Sequence, residues 1–219
     1  MKREYVDTYQ HKGLRKQLVD LLREKGITDN NVLDAITAIP RHFFLDSGFD
    51  IIAYENRAFD IGADQTISHP YTVAYQSQLL QVKKMEKVLE IGTGSMYQSA
   101  VLAEMGARVF SIERQKQLFD EKSKFYVRTK YFSAKFFYGD GFEGLPTYAP
   151  FDKILITAAA PFIPPKLLAQ LKTGGCMVIP LDEGSEQRML RLTKMADGTI
   201  QEESFEAFSF VPMLTGKNR

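Results

Sequence analysis

The sequence predicts an α/β protein: a mostly parallel β-sheet with helices on both faces, preceded by an N-terminal helical extension and closed by an antiparallel C-terminal hairpin. Three observations carry that expectation. Between Lys87 and about Pro180, short apolar runs alternate with helix-period segments, the pattern of βαβ units around a buried parallel sheet. Before Leu80, apolar residues recur at helical spacing. After Pro180, two strand-like runs flank Asp197-Gly198, a hairpin turn signal. One domain over residues 1–219 is expected, with helices and a substrate loop at 1–80, the α/β core at 81–180 and the terminal strands at 181–219.

Each element has its own warrant. Leu14, Leu18, Leu21 and Leu22 share a helical stripe, and Gly26 is placed to end that helix. Asp29 or Asn30 can cap a second helix carrying Val32, Leu33, Ile36 and Ile39, which Pro40 stops. From Phe59 to Tyr71 the chain reads as loop, with Thr66 or Ser68 as a cap for a third helix bearing Val73, Gln76, Leu79 and Leu80. KVLEI, RVFSIE, AKFFYGD, KILITA and GCMVIPL read as strands, with helices expected at 97–105, 115–129 and 165–171. RMLRLTKM and the run beginning TIQEESF form the hairpin.

Composition narrows the classes of function. Lys plus Arg is 28 against 27 for Asp plus Glu, a net charge of +1, which gives no footprint for nucleic acid. The lone Cys176 excludes an internal disulfide framework and a multi-cysteine zinc site, and fits a reducing compartment. His11 and His42 show no metal-ligand spacing, so no metal is expected. The segment MKREYVDTYQ lacks the apolar core of a secretory signal, and the best apolar stretch, ILITAAAPFIPP, is short and broken by prolines. A cytoplasmic monomer with neither nucleic-acid nor membrane partners is the expectation.

The most informative segment is VLEIGTGSMYQ, from Val88 to Gln98. A strand runs into Gly92-Thr93-Gly94 and then into a helix, so backbone can approach a ligand beside free helix N–H groups. A dinucleotide fingerprint would place a third glycine where Tyr97 stands, which disfavours a pyrophosphate site. Glu90 precedes the loop, and Glu113 ends the next strand about 20 residues on, where ribose-binding acids sit. Glu113 as a mere solvated strand end, and the loop as a ligand-free turn, are the plain alternatives.

Acid-x-Gly-x-Gly, the second strand-end acid and Asp140-Gly141 together resemble the class I S-adenosylmethionine-dependent methyltransferases, which implies a Rossmann-like sheet. The resemblance implies cofactor contacts from Glu90, Gly92, Thr93, Gly94 and Ser95, ribose binding by Glu113, and an adenine environment at Asp140 and Gly141. The stretch GADQTISHPYTVAYQSQLL, Gly62 to Leu80, further resembles the Gln-Thr-Ile-Ser-x-Pro segment of the protein-L-isoaspartate O-methyltransferases. AITAIPRHFFL, APFDKILITAAAP, LKTGGCMVIPL and FVPML extend that similarity over nearly the whole chain.

That family methylates the free α-carboxylate of L-isoaspartyl residues in damaged proteins and peptides; the ester then collapses to a succinimide. The resemblance implies that Ser68 orients the acceptor carboxylate, that Thr66 and Ile67 reach the cofactor, and that His69 and Pro70 line the substrate side. The acceptor is already ionised at neutral pH, so no general base is required and a bystander role is preferred for His69. One position departs from the pattern: Met96 stands where the family reads Gly-Thr-Gly-Ser-Gly. Three cases are open, a strained left-handed residue, mere bulk beside the cofactor, or a helical residue that packs usefully, and the third is expected. The alternatives to the repair enzyme are a methyltransferase-fold protein acting on another carboxylate or binding without catalysis, and a nucleotide-dependent oxidoreductase, against which Tyr97 argues.

Overall fold

A computed structural model of the protein describes residues 5–126 and 134–218. Helix α1 (Tyr9–Glu24) is capped by Thr8, whose hydroxyl accepts from His11 N while the His11 ring accepts from Thr8 N. It buries Leu18, Val19 and Leu22, and Gly26 follows its C-cap at φ 92. Helix α2 (Asn30–Ala38) starts at Asp29, whose carboxylate accepts from Asn31 N at 2.9 Å, and stops before Pro40. Three single-turn 3-10 helices follow, Arg41–Phe44, Ser47–Phe49 and Ile52–Tyr54, in a stretch to which the sequence assigns no structure.

The stretch expected as loop is instead an antiparallel pair, β1 (Phe59–Gly62) and β2 (Gln65–Ile67). Ala63 and Asp64 both turn it at φ 55. Two left-handed residues are what a tight hairpin turn needs, but Ala-Asp lacks the Asn-Gly or Asp-Gly signature that advertises one. The cap assignment also changes. Helix α3 (Pro70–Leu80) begins at His69 with no side-chain cap, and Pro70 takes the first helical position, where its missing N–H costs nothing.

The main sheet has seven strands in the order β5-β4-β3-β6-β7-β8-β9. Strands β3 (Lys87–Ile91), β4 (Arg108–Glu113), β5 (Lys135–Tyr138), β6 (Phe151–Ile156) and β7 (Leu171–Asp182) pair in parallel; β8 (Gln187–Lys194) and β9 (Ile200–Phe208) add antiparallel pairs at one edge. Helix α4 (Tyr97–Glu104) links β3 to β4, α5 (Lys116–Tyr126) follows β4, and α6 (Pro165–Gln170) precedes β7. The part of the expected 115–129 helix beyond Tyr126 lies outside the described residues.

Strand alternation sorts the core. Leu89, Ile91, Ile112, Ile154, Ile156 and Met177 face one side, with Leu167 of α6. Val88, Val109, Leu155 and Val178 face the other, with Leu79 and Leu80 of α3 and Leu102 of α4. Both faces are thus covered, as a parallel sheet requires. Among the described residues no helix is long and apolar enough to cross a membrane. The chain leaves β3 toward β4 and β5, then returns to place β6 on the other side of β3. That reversal opens a crevice at the carboxyl ends of the strands, where open α/β sheets hold ligands.

Candidate active site

An open cleft occupies that crevice. Its floor is the turn from β3 into α4. Gly92 sits at φ 98, and a Cβ there would lie 2.5 Å from Thr157 Oγ1, so only glycine fits. The Thr157 hydroxyl donates to the Ile91 and Gly92 carbonyls at 2.9 and 2.8 Å and fixes the loop from below. Gly94 follows at φ 48, and Thr93 exchanges a 2.6 Å hydroxyl–hydroxyl bond with Ser111. Gly141 leaves a space that its own Cβ would close against Ile91.

Glu113, at the end of β4, is 4% exposed and lies on the cleft wall. Its two oxygens accept from Gly94 N and Gln115 N, each at 2.8 Å. Burial raises its pKa, and these backbone donors oppose the rise. The β1–β2 pair carries the opposite wall to the cleft: Thr66, Ile67 and Ser68 all line it.

Of the residues expected in the site, the structure therefore brings together Thr66, Ile67, Ser68, Gly92, Thr93, Gly94, Ser95, Glu113 and Gly141. Four expected contacts lie outside the cleft. Glu90 points into the sheet core, 0% exposed, because strand alternation turns it away from its neighbour Ile91. Asp140 spends its carboxylate on Phe142 N at 2.9 Å and Gly216 N at 2.7 Å. His69 and Pro70 are the cap and first residue of α3, behind the wall rather than on it. Burial, then the Arg41 charge, lowers the His69 pKa, so the ring is neutral at neutral pH.

Met96 is a correction. It occupies φ 71, ψ 1, the left-handed region, as the N-cap of α4, and is 0% exposed in the core formed by the N-terminal helices and α4. The helical conformation expected for it is wrong; the useful packing is right. The cleft also has a wall that the site expectation lacks, Val211 to Leu214, tied alongside Ala159 by bonds from Ala159 N to Val211 O and from Met213 N to Ala159 O. No local signal in FVPML marks it as a wall. Thr157 was findable in principle, since it follows a strand's carboxyl end.

His11 and His42 do meet, contrary to their sequence separation: their rings stack at 3.9 Å, and with Asp7 their donor atoms lie within 4.8 Å of one another. The donors are engaged. Arg15 grips Asp7 through both carboxylate oxygens, and His42 bonds Tyr54 and Val6.

A family model for protein-L-isoaspartate(D-aspartate) O-methyltransferase matches residues 13–218. The chain belongs to that family. A Flavobacterium johnsoniae protein-L-isoaspartate O-methyltransferase is 54% identical over 97% of this chain and 99% of its own length. One from Christiangramia forsetii is 52% identical over the same shares. A solved protein-L-isoaspartate O-methyltransferase superposes with a TM-score of 0.82 at 26% identity, covering 90% of this chain and 65% of that one. A Plasmodium falciparum structure in complex with S-adenosyl-L-homocysteine shares the fold at a TM-score of 0.80 and 24% identity, over 91% and 98% of the two chains.

In this methyltransferase Glu90 gives a pH prediction. Its pKa is pushed up to about 7 by complete burial, while Ser111 and Ser99 hydroxyls pull it down and Glu113 adds repulsion. One oxygen accepts from Ser99; the other has no partner at full hydrogen-bond geometry, the Ser111 hydroxyl being shared with Thr93. The folded state thus holds the proton more tightly than the unfolded chain. Stability contributed by that proton is complete below the unfolded pKa and is lost as pH rises through about 7. Glu90→Gln cannot ionise, so its melting temperature should gain on the parent's between pH 5 and pH 8, by the equivalent of roughly 2–3 kcal/mol. Parallel melting curves across that range would refute the assignment.

Proposed function

We propose that this chain transfers a methyl group from S-adenosylmethionine to the free α-carboxylate of L-isoaspartyl residues in damaged proteins and peptides, starting repair through a succinimide. The observation that carries the reading is that residues 66–68 and the glycine turn share one cleft.

The cleft suits the cofactor. Gly92 and Gly141 let backbone line the cleft where Thr157 and Ile91 already pack too close for a Cβ, and the buried Glu113 carboxylate offers acceptor lone pairs to ribose hydroxyls. Thr66, Ile67, Thr93, Gly94 and Ser95 complete the set proposed to hold it. When bound, S-adenosylmethionine supplies an electrophilic sulfonium methyl, and the products are a carboxyl methyl ester and S-adenosylhomocysteine.

The protein's work is placement. An isoaspartyl carboxylate is ionised at neutral pH and needs no base to become a nucleophile. Ser68 lines the cleft, and its hydroxyl is assigned the role of donating to one acceptor oxygen, which aims the other. Ile67, Val73, Ile91, Val211 and Met213 give the cleft apolar surface that sheds water from the carboxylate. His69 takes no proton here. The same reading has the chain act as one domain and as a cytoplasmic monomer, with no nucleic-acid or membrane partner. Its support is that both cleft walls come from one chain, that net charge is +1 and that Cys176 is buried and unpaired.

The test is methyl incorporation into an isoaspartyl peptide beside its normal aspartyl twin. Incorporation into the first alone is expected; equal labelling, or none, would overturn the proposal. Ser68→Ala is expected to lower kcat about tenfold, the worth of one hydrogen bond to a charged group, with cofactor affinity changed less than threefold. Loss of cofactor binding with intact single-turnover chemistry would move Ser68 to the cofactor side.

A further inference from the structure

Behind the Ser68 wall lies an arginine that the reaction does not obviously require. Arg41, on the 3-10 turn Arg41–Phe44, is 0% exposed. Its Nε donates to Ala53 O at 2.9 Å and its Nη2 to Ser68 O at 2.8 Å. The guanidinium lies over the Tyr97 ring, 4.7 Å from its centroid, and Tyr97 lines the cleft where α4 begins. Nη1 and the Tyr97 hydroxyl are both buried without a partner at full hydrogen-bond geometry, and the phenol interacts with the guanidinium at longer range. Among the described residues no carboxylate pairs with Arg41.

A buried cation without a counter-ion is an expensive way to fill space, and an apolar side chain of similar volume would serve a core as well. What the guanidinium adds is a rigid plane that donates in two directions while stacked on a ring. One of those directions is the Ser68 peptide. The neighbouring restraints on that peptide are weak: β2 is three residues long, and His69 gives α3 no side-chain cap. We propose that Arg41 is a positioning residue for methyl transfer, holding the Ser68 peptide plane so that the Ser68 hydroxyl meets the acceptor carboxylate. This rests on the function proposed above.

Lysine keeps the charge but lacks the planar fork whose Nε and Nη2 donate to Ala53 and Ser68 from one rigid plane stacked on Tyr97, so it cannot hold the Ser68 peptide in the same geometry. Arg41→Lys should fold, bind cofactor within threefold of the parent, and lose up to about tenfold in kcat on an isoaspartyl peptide, no more than Ser68→Ala itself loses, because a misplaced hydroxyl costs at most what an absent one does. A purely structural role would not lower kcat while leaving cofactor affinity intact. In a Ser68→Ala background the same substitution should cost less than threefold further, because Arg41 acts through Ser68. Amide hydrogen exchange across residues 65–69 should quicken in Arg41→Lys.

Additive losses in the double variant, or cofactor affinity lost in proportion to kcat, would overturn the proposal. Should Arg41→Lys not fold, Arg41→Gln, with a planar amide donor, takes its place in every measurement. A parent chain that folds and binds cofactor but does not methylate the peptide sinks the functional reading by itself. Exchange at 65–69 then decides the anchor: faster exchange in the variant supports it and unchanged exchange removes it.

Discussion

Met96→Ala is expected to be the less stable of two substitutions at that position, and Met96→Gly to fall between it and the parent. The side chain is 0% exposed and packs in the core formed by the N-terminal helices and α4. Removing it costs roughly 2–5 kcal/mol whichever small residue replaces it. Alanine keeps a Cβ at φ 71, where a left-handed residue is strained by about 1–2 kcal/mol; glycine is released from that strain. In an ordinary helical position glycine would instead be worse than alanine by up to ~1 kcal/mol. The order parent, glycine, alanine is therefore diagnostic of a packed residue in a strained conformation. For a chain of this size each kcal/mol is worth about 2–4 °C in melting temperature, so the three should separate in a thermal melt. Cofactor affinity should change less than threefold, because Met96 is absent from the cleft walls. An alanine variant that melts above the glycine variant would show that φ at this residue is helical after all.

Glu113→Ala is expected to weaken S-adenosylmethionine binding by about 10- to 150-fold, the worth of roughly 1.5–3 kcal/mol for hydrogen bonds to a charged group. Two losses combine: the proposed ribose acceptor, and the bond that holds Gly94 N at 2.8 Å in the glycine turn. The sheet should survive, since Glu113 is the last residue of β4. Calorimetry on a folded variant with unchanged affinity would remove Glu113 from the cofactor site. The pH dependence has a definite sign. Burial raises the Glu113 pKa, and only the ionised form accepts from both backbone and ribose, so affinity should fall as pH drops into that elevated range.

The sheet and most of its helices were legible because their signals are local. KVLEI, RVFSIE and GCMVIPL are apolar enough to be buried on both faces, and the glycines of the turn are confirmed by φ values of 98 and 48. The β1–β2 pair was missed because its turn uses Ala63 and Asp64 rather than a glycine. Motif position alone points Glu90 at the cofactor, yet the period of two along a strand sends it into the core. Met96 was placed in the helix that follows it, where propensity favoured it and the capping geometry did not.

The strands of the main sheet and their helices, the glycine turn, the acid at the end of β4 and the Thr66-Ile67-Ser68 segment are all written in residues close together along the chain. Which of them meet is set by the packing of the folded layers. Arg41 reaches Ser68 across 27 positions, Thr157 fixes a turn 65 residues earlier, and residues 211–214 close a cleft opened by β3. Such pairings depend on how packed layers bring distant segments together, and periodicity, which reports one element's own faces, does not encode them.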